Sequence, residues 1–295
     1  MSKSEWFFHY TTAQGLFGIL KEKKIWATDA NYMNDYEEIR KGIIYAQLWF
    51  EQNQQKINNK MGVEHTNIIK RNLQDEPGRQ SGQRMFICSF STEEDSLSQW
   101  RGYGGKVGYA IGFHQEYLEK KAKEIGLVFV KCIYKHDKDK NPVHEALDKL
   151  MAIGHFDSMP PANSKWTDWL VTVLNTVKRN SVALKGEGFK DEREWRLYLG
   201  PNRPAHPEIS EECFRLQNGI VTPYIKYPLF PQTIKESFIM TSEKKRSPLV
   251  RFKIGPTHHK DITYDGLNRL LLTYQNNFLY SRPEHSLVTY RNINE

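Results

Sequence analysis

Apolar residues along this chain recur with periods of two and of about three and a half. The first element has the shorter period. Trp6 to Phe8 is an aromatic run that predicts a strand, with His9, Tyr10 and Thr11 at its end. Leu16, Ile19 and Leu20 then form a helical stripe, with Lys21, Lys23 and Lys24 near the C-terminal end where a helix dipole favours cations. Ile25 to Thr28 predicts a second short strand leading into a polar loop, Asp29 to Asp35. From Tyr36 to Gln54 the stripe Ile39, Ile43, Tyr45/Ala46, Trp49/Phe50 predicts a long amphipathic helix. Residues 55–84 are polar and carry a Glu76-Pro77-Gly78 break, which predicts a helical surface insertion ending in a loop.

Met85 to Ser91 alternates cleanly, with Phe86, Cys88 and Phe90 on one face and Ile87, Ser89 and Ser91 on the other. A second strand is expected over Val107 to Phe113. Gly102, Gly104 and Gly105 lie between the two and suit either a bare hairpin or close approach to a ligand. Further on, the pattern predicts helix His114 to Ile125, strand Leu127 to Tyr134, helix Val143 to Ile153 and helix Lys165 to Leu184. In the last of these Trp166, Trp169, Leu170, Val173, Leu174 and Val177 share a face, which assigns its tryptophans to a core. Strands at 220–227, 234–240, 249–254 and 286–290 surround one more helix at 262–274. No linker divides the chain, so residues 1–295 are expected to form a single α+β domain with a mixed sheet flanked by helices.

Composition narrows the function classes only a little. The 295 residues are 39% hydrophobic, 26% charged and 13% aromatic, which is ordinary globular material. A net charge of +7 favours polyanions such as nucleic acid or a phosphate-rich dinucleotide. Cys88, Cys132 and Cys213 are far apart, which suits a reducing, cytoplasmic compartment and argues against disulfides and structural zinc. No apolar signal region or membrane span of roughly 20 residues is visible, so no membrane partner is expected. Gly-x-Ser-x-Gly, His-Glu-x-x-His and P-loop patterns are absent, and His258-His259 has no companion ligands, so no metal is expected.

Two stretches carry candidate chemistry: the His9-Tyr10-Thr11 strand end, and Glu192-Arg193-Glu194 before an apolar strand. The two carboxylates share a face if the strand has begun at Glu192, and a solvated edge paired with Arg193 and Arg196 is the plain alternative.

The order of short motifs resembles a known family. A His-Tyr-Thr start, an Asn-Asp-x-x-Glu loop (Asn34, Asp35, Glu38), a Ser-Phe-Ser strand and a late Glu-x-Arg together look like bacterial domain-of-unknown-function family 2971. That family in turn resembles a divergent branch of the ADP-ribosyltransferase superfamily. The resemblance implies a split sheet of ADP-ribosyltransferase type and an enzyme that uses NAD as a substrate. It also implies a bacterial intracellular toxin or anti-phage defence effector modifying a macromolecule, with nucleic acid slightly favoured over protein, and an antitoxin or inhibitor protein as a further partner. Plain NAD glycohydrolysis and a non-catalytic nucleotide- or partner-binding module are the alternatives. Position by position, Glu194 would be the catalytic carboxylate and Glu192 would orient or deprotonate the acceptor. His9, Tyr10 and Thr11 would hold NAD at its adenosine end, and Ser89 or Ser91 would lie beneath the nicotinamide ribose. Trp100 or Tyr103 would stack on nicotinamide, with Arg101 near the pyrophosphate and Asn34 and Asp35 lining the cleft. Arg196 would pair with phosphate or with the carboxylate. The Arg-bearing strand motif that precedes Ser-x-Ser in better-known toxins of the superfamily is missing.

Overall fold

One residue joins the first strand to the first helix. Thr12 ends β1 (Trp6–Thr12) and caps α1 (Ala13–Glu22), its hydroxyl accepting the Gly15 N–H at 3.1 Å. Lys23, in a left-handed conformation, closes α1 and returns the chain into β2 (Ile25–Asp29). This computed structural model describes residues 5–33, 36–74, 84–138, 140–157, 164–200, 206–217, 219–240, 246–274 and 280–289. After β2 come α2 (Tyr36–Gln52), α3 (Gln54–Met61), α4 (Val63–Gln74), β3 (Phe86–Ser91) and α5 (Leu97–Tyr103). Next are β4 (Gly108–His114), α6 (Gln115–Glu124), β5 (Leu127–Lys131), α7 (Pro142–Ala152) and α8 (Ser164–Ser181). A 3-10 turn over Glu187–Glu192 leads into β6 (Glu194–Leu199), followed by β7 (Cys213–Gln217) and β8 (Ile220–Tyr227). The chain continues through β9 (Phe238–Met240), β10 (Arg246–Pro248), β11 (Val250–Ile254), α9 (Lys260–Tyr274) and β12 (Glu284–His285). The fold is α+β. No helix among the described residues is long and apolar enough to cross a membrane.

Ten strands form a mixed sheet in the order β12-β11-β4-β1-β3-β2-β8-β7, with β6 paired to β3 and β5 to β6; β9 and β10 form a small second sheet. The division in the large sheet lies at β3. One edge of β3 carries β6 along Ile87 to Ser91. On the other edge Ser91 meets Phe8 of β1, while Phe86 and Ile87 meet Asp29 and Thr28 of β2. Between those pairings, at Cys88 to Phe90, β1 and β2 part to follow β4 and β8, and a cleft opens. The alternation read from Met85 to Ser91 explains the two surfaces. Cys88 and Phe90 enter the main core with Phe7, Leu16, Ile19 and Leu197, whereas Ser89 and Ser91 face the other way.

A second apolar cluster is mostly helical and includes Trp49, Phe50, Trp169 and Val173, with Phe156 from the turn after α7. It corrects the expectation of a polar surface insertion at 55–84. Ile57, Met61, Ile69 and Leu73 recur at helical spacing and bury α3 and α4 against α2 and α8. Residues 75–83 lie outside the described residues. Trp169 is core as expected, with its indole N–H donating to the His155 carbonyl at 2.7 Å; the Trp166 side chain is outside the described set. The helix expected to reach Leu184 stops at Ser181 because Leu184 bridges Ile133 beside the end of β5, which itself stops at Lys131. The strand expected at 234–240 is a 3-10 turn followed by β9, and the last strand is Glu284–His285 rather than 286–290.

Helices α2 and α8 touch closely at Gly42, where a Cβ would come within 2.0 Å of Ser181 Oγ and 2.9 Å of its Cα. Gly42→Ala is expected to destabilise by about 1–2 kcal/mol, overpacking outweighing the gain in helix propensity. Urea unfolding measures this, and an unchanged midpoint would contradict the contact.

Candidate functional site

The cleft at the split has a volume of about 440 Å³. His9, Tyr10 and Thr11 line it from β1, Ser89 from β3, Arg101 and Tyr103 from α5, Glu192 from the end of the 3-10 turn and Glu194 from the start of β6. Four segments of the chain therefore meet there.

His9 stands where the strand ladder is broken. Its Nδ1 lies 3.0 Å from the Ser89 carbonyl oxygen, which otherwise has no strand partner in the gap. A carbonyl only accepts, so Nδ1 carries the proton and Nε2 is the acceptor of a neutral ring. Burial lowers the His9 pKa to about 4; the Ser89 hydrogen bond opposes this and the positive charge of Arg215 adds to it. The folded value lies below the ordinary 6.5, so the unfolded chain takes up this proton first as pH falls. The His9 component of stability is therefore expected to decline as pH falls from 6.5 to 4 and to change no further below that range. His9→Gln should remove that component from melting temperatures recorded against pH. Parallel wild-type and variant curves would show that the ring is not buried as described.

The carboxylates are not a solvated strand edge. Arg193, left-handed at φ 45°, turns its own side chain outward to Glu93, 2.6 Å away, and leaves Glu192 and Glu194 facing inward. Both converge on Lys185, which is completely buried; its Nζ donates to Glu192 Oε2 at 2.6 Å and to Glu194 Oε2. Arg196, equally buried, donates through Nε to Glu194 Oε1 at 3.0 Å and through Nη1 to the Val182 carbonyl at 2.9 Å. Tyr134 completes the support by accepting the Glu194 N–H at 2.7 Å. Burial alone would raise the Glu194 pKa, but Arg196 and Lys185 overcome it and bring the carboxyl to about 2. Such a group is a weak base. It is suited to holding a fixed negative charge and accepting a hydroxyl hydrogen bond, since Oε1 retains lone-pair capacity beyond the Arg196 contact.

Several expected ligand contacts serve the framework instead. Arg196 sits behind Glu194 and does not line the cleft, so of its two expected partners it takes the carboxylate. Trp100 is buried edge-on against Tyr10 at 4.6 Å, and its indole N–H donates to Asp95 at 2.8 Å; it backs β1 rather than stacking in the cleft. Asp95 also accepts from Ser286 Oγ at 2.5 Å and from the Leu287 N–H at 2.7 Å. Ser91 is buried, donating to the Glu192 carbonyl at 2.6 Å and accepting the Glu93 N–H at 3.0 Å, so it fixes the 3-10 turn. The Tyr10 hydroxyl is spent on the Glu93 carbonyl at 2.6 Å and the Ser96 N–H at 3.2 Å. No hairpin joins β3 to β4: the glycine-rich stretch begins as α5, and β4 pairs with β1. Asn34 and Asp35 lie outside the described residues.

Lys185, Tyr134 and Arg215 escaped sequence reasoning. Lys185 follows Val182, Ala183 and Leu184, and a lone lysine behind an apolar run was the available signal. Arg215 lies on β7, whose hairpin with β8 is announced by Asn218-Gly219 between two β-rich runs.

Residues 99–197, from α5 through most of β6, match the model of a family described as "Protein of unknown function (DUF2971)". No curated protein and no solved structure matches the chain.

Proposed function

We propose that this chain is an NAD-dependent mono-ADP-ribosyltransferase that modifies a macromolecule, nucleic acid ahead of protein, as a bacterial intracellular toxin or anti-phage effector. The observation that carries the reading is the convergence of His9 and Glu194 on one cleft, with Glu192 beside them. In this reaction the bond between nicotinamide and the ribose C1′ breaks, and nicotinamide leaves with the bonding electrons. Positive charge builds on the ribose as in glycoside cleavage. A nucleophilic atom of the acceptor then bonds to C1′ and gives up its proton.

Each residue has a task matched to its state. Glu194, ionised and held by two cations, opposes the developing ribose charge and accepts a ribose hydroxyl. His9 Nε2 accepts a hydroxyl of the dinucleotide, its ring fixed through Nδ1. Glu192 lies at the cleft wall, placed to orient the acceptor or take its proton. Tyr103 and Arg101 border the opening from α5.

A second reading has its own support. The charge of Glu194 is already compensated by Lys185 and Arg196, an arrangement that suits a non-catalytic nucleotide-binding module. Incubation with labelled NAD and bacterial lysate separates them. Transfer of label to polymer is expected, sensitive to nuclease rather than protease. Nicotinamide release without transfer would indicate a glycohydrolase. Neither release nor transfer would end the enzymatic reading.

A further inference from the structure

The wall of the cleft opposite Glu194 is built around an arginine. Arg215 projects from β7, at the end of the sheet order β3-β2-β8-β7, whereas Glu194 stands on β6 at the other edge of β3. Its guanidinium carbon lies 5.2 Å from the ring centres of both Trp26 and Tyr224. One nitrogen, Nη2, is held by Thr28 Oγ1 at 2.7 Å and Gln217 Oε1 at 3.0 Å. These contacts fix the side chain over β2. They are made to neutral groups, and no carboxylate among the described residues pairs with it. Arg215 lines the same cleft as His9, Cys88 and Glu194.

Partly burying a guanidinium costs free energy that a carboxylate usually offsets. Arg196 and Arg193 in this protein each have such a partner, and Arg215 does not. Of its five N–H donors, only those on Nη2 are used; Nε and Nη1 meet no acceptor among the described residues, and neither is sealed from solvent. The neighbouring helix supports the same wall. Gly18 of α1 allows the Trp26 ring to lie flush against it, where a Cβ would come within 2.1 Å. The aromatic shelf under Arg215 is thus fixed from below.

We infer that Arg215 forms an anion subsite of the cleft, which receives a phosphate of a nucleoside diphosphate through its Nε and Nη1 donors. Assigning the anion to a nucleotide rests on the proposed use of NAD; the subsite itself rests on a cation in the cleft wall that no carboxylate among the described residues pairs with. With Glu194 facing it, the cleft has a cationic side for phosphate and an anionic side for a ribose that becomes positive. Arginine suits the first role because its donors are directional and its charge is weakly hydrated.

Calorimetric titration of the full chain with ADP and with adenosine tests this. Wild type is expected to bind ADP at least tenfold more tightly than adenosine. Arg215→Gln should lose that preference while keeping its affinity for adenosine. Arg215→Lys, which retains the charge, should keep part of it, and circular dichroism confirms that both variants fold. Equal ADP affinity in wild type and Arg215→Gln would overturn the inference, as would wild type showing no preference for ADP. ADP binding that depends on Arg215 without any cleavage of NAD would leave the subsite standing and remove the transferase. NAD turnover with the same KM in Arg215→Gln would do the opposite.

Discussion

Lys185→Met is expected to unfold at a much lower urea concentration than wild type, with a loss of about 3–5 kcal/mol. The ammonium touches both Glu192 and Glu194, and it is fully buried. Without it Glu194 keeps only its contact with Arg196, and Glu192 loses the cation it shares with Glu194. A methionine of similar length fills the space but leaves the excess negative charge in a low-dielectric setting. The double variant Lys185→Met/Glu192→Gln restores a one-to-one balance between Arg196 and Glu194, and should recover most of the loss. A double variant as unstable as the single one would mean that Lys185 acts through packing. Acid behaviour gives a second readout. The Glu194 pKa of about 2 lies below its ordinary 4.5, so its contribution is complete above pH 4.5 and lost as pH falls through 2. Removing Lys185 raises the folded value and moves that loss to higher pH.

The largest effect on function belongs to Glu194→Gln. The amide keeps the shape and removes the charge, so NAD turnover is expected to fall by on the order of 10²–10³-fold in kcat with KM little changed. The effect is electrostatic, since a carboxyl with a pKa of about 2 contributes little as a proton acceptor. Growth inhibition, if expression of the wild type causes it, should disappear in parallel. Measurement must be made where the variant is folded, because Lys185 and Arg196 then share a single carboxylate, that of Glu192. Turnover within a few-fold of wild type would remove Glu194 from the chemistry and favour the binding-module reading.

Local pattern carried much of the architecture. The alternation of Met85 to Ser91 assigned both faces of β3 correctly, because a half-buried strand must keep its period along its whole length. The stripe from Ile39 to Phe50 likewise gave α2, now seen packed against α8. Failures occurred where burial is sparse or where partners are distant. The four buried apolar residues of α3 and α4 are diluted by Asn, Gln and Lys, so the segment reads as surface until its neighbours are known. Glu192 and Glu194 were legible as a pair, yet nothing local signals that a lysine at 185 makes an ion pair with each of them. Trp100 and Ser91 have the residue types of ligand contacts. Their hydrogen bonds to Asp95 and to the Glu192 carbonyl are tertiary facts, which residue type alone does not encode.

The three hydrogen bonds on Asp95 tie opposite ends of the polypeptide together. Through Trp100 that carboxylate braces Tyr10 from behind, and through Ser286 and Leu287 it clasps the segment following β12. The tail is thus a buttress for the first strand, although more than 270 residues separate Thr12 from Ser286 along the chain. Trimming the protein before residue 284 would remove β12 and the hydrogen bonds to Asp95, and with them the brace behind the wall that presents His9.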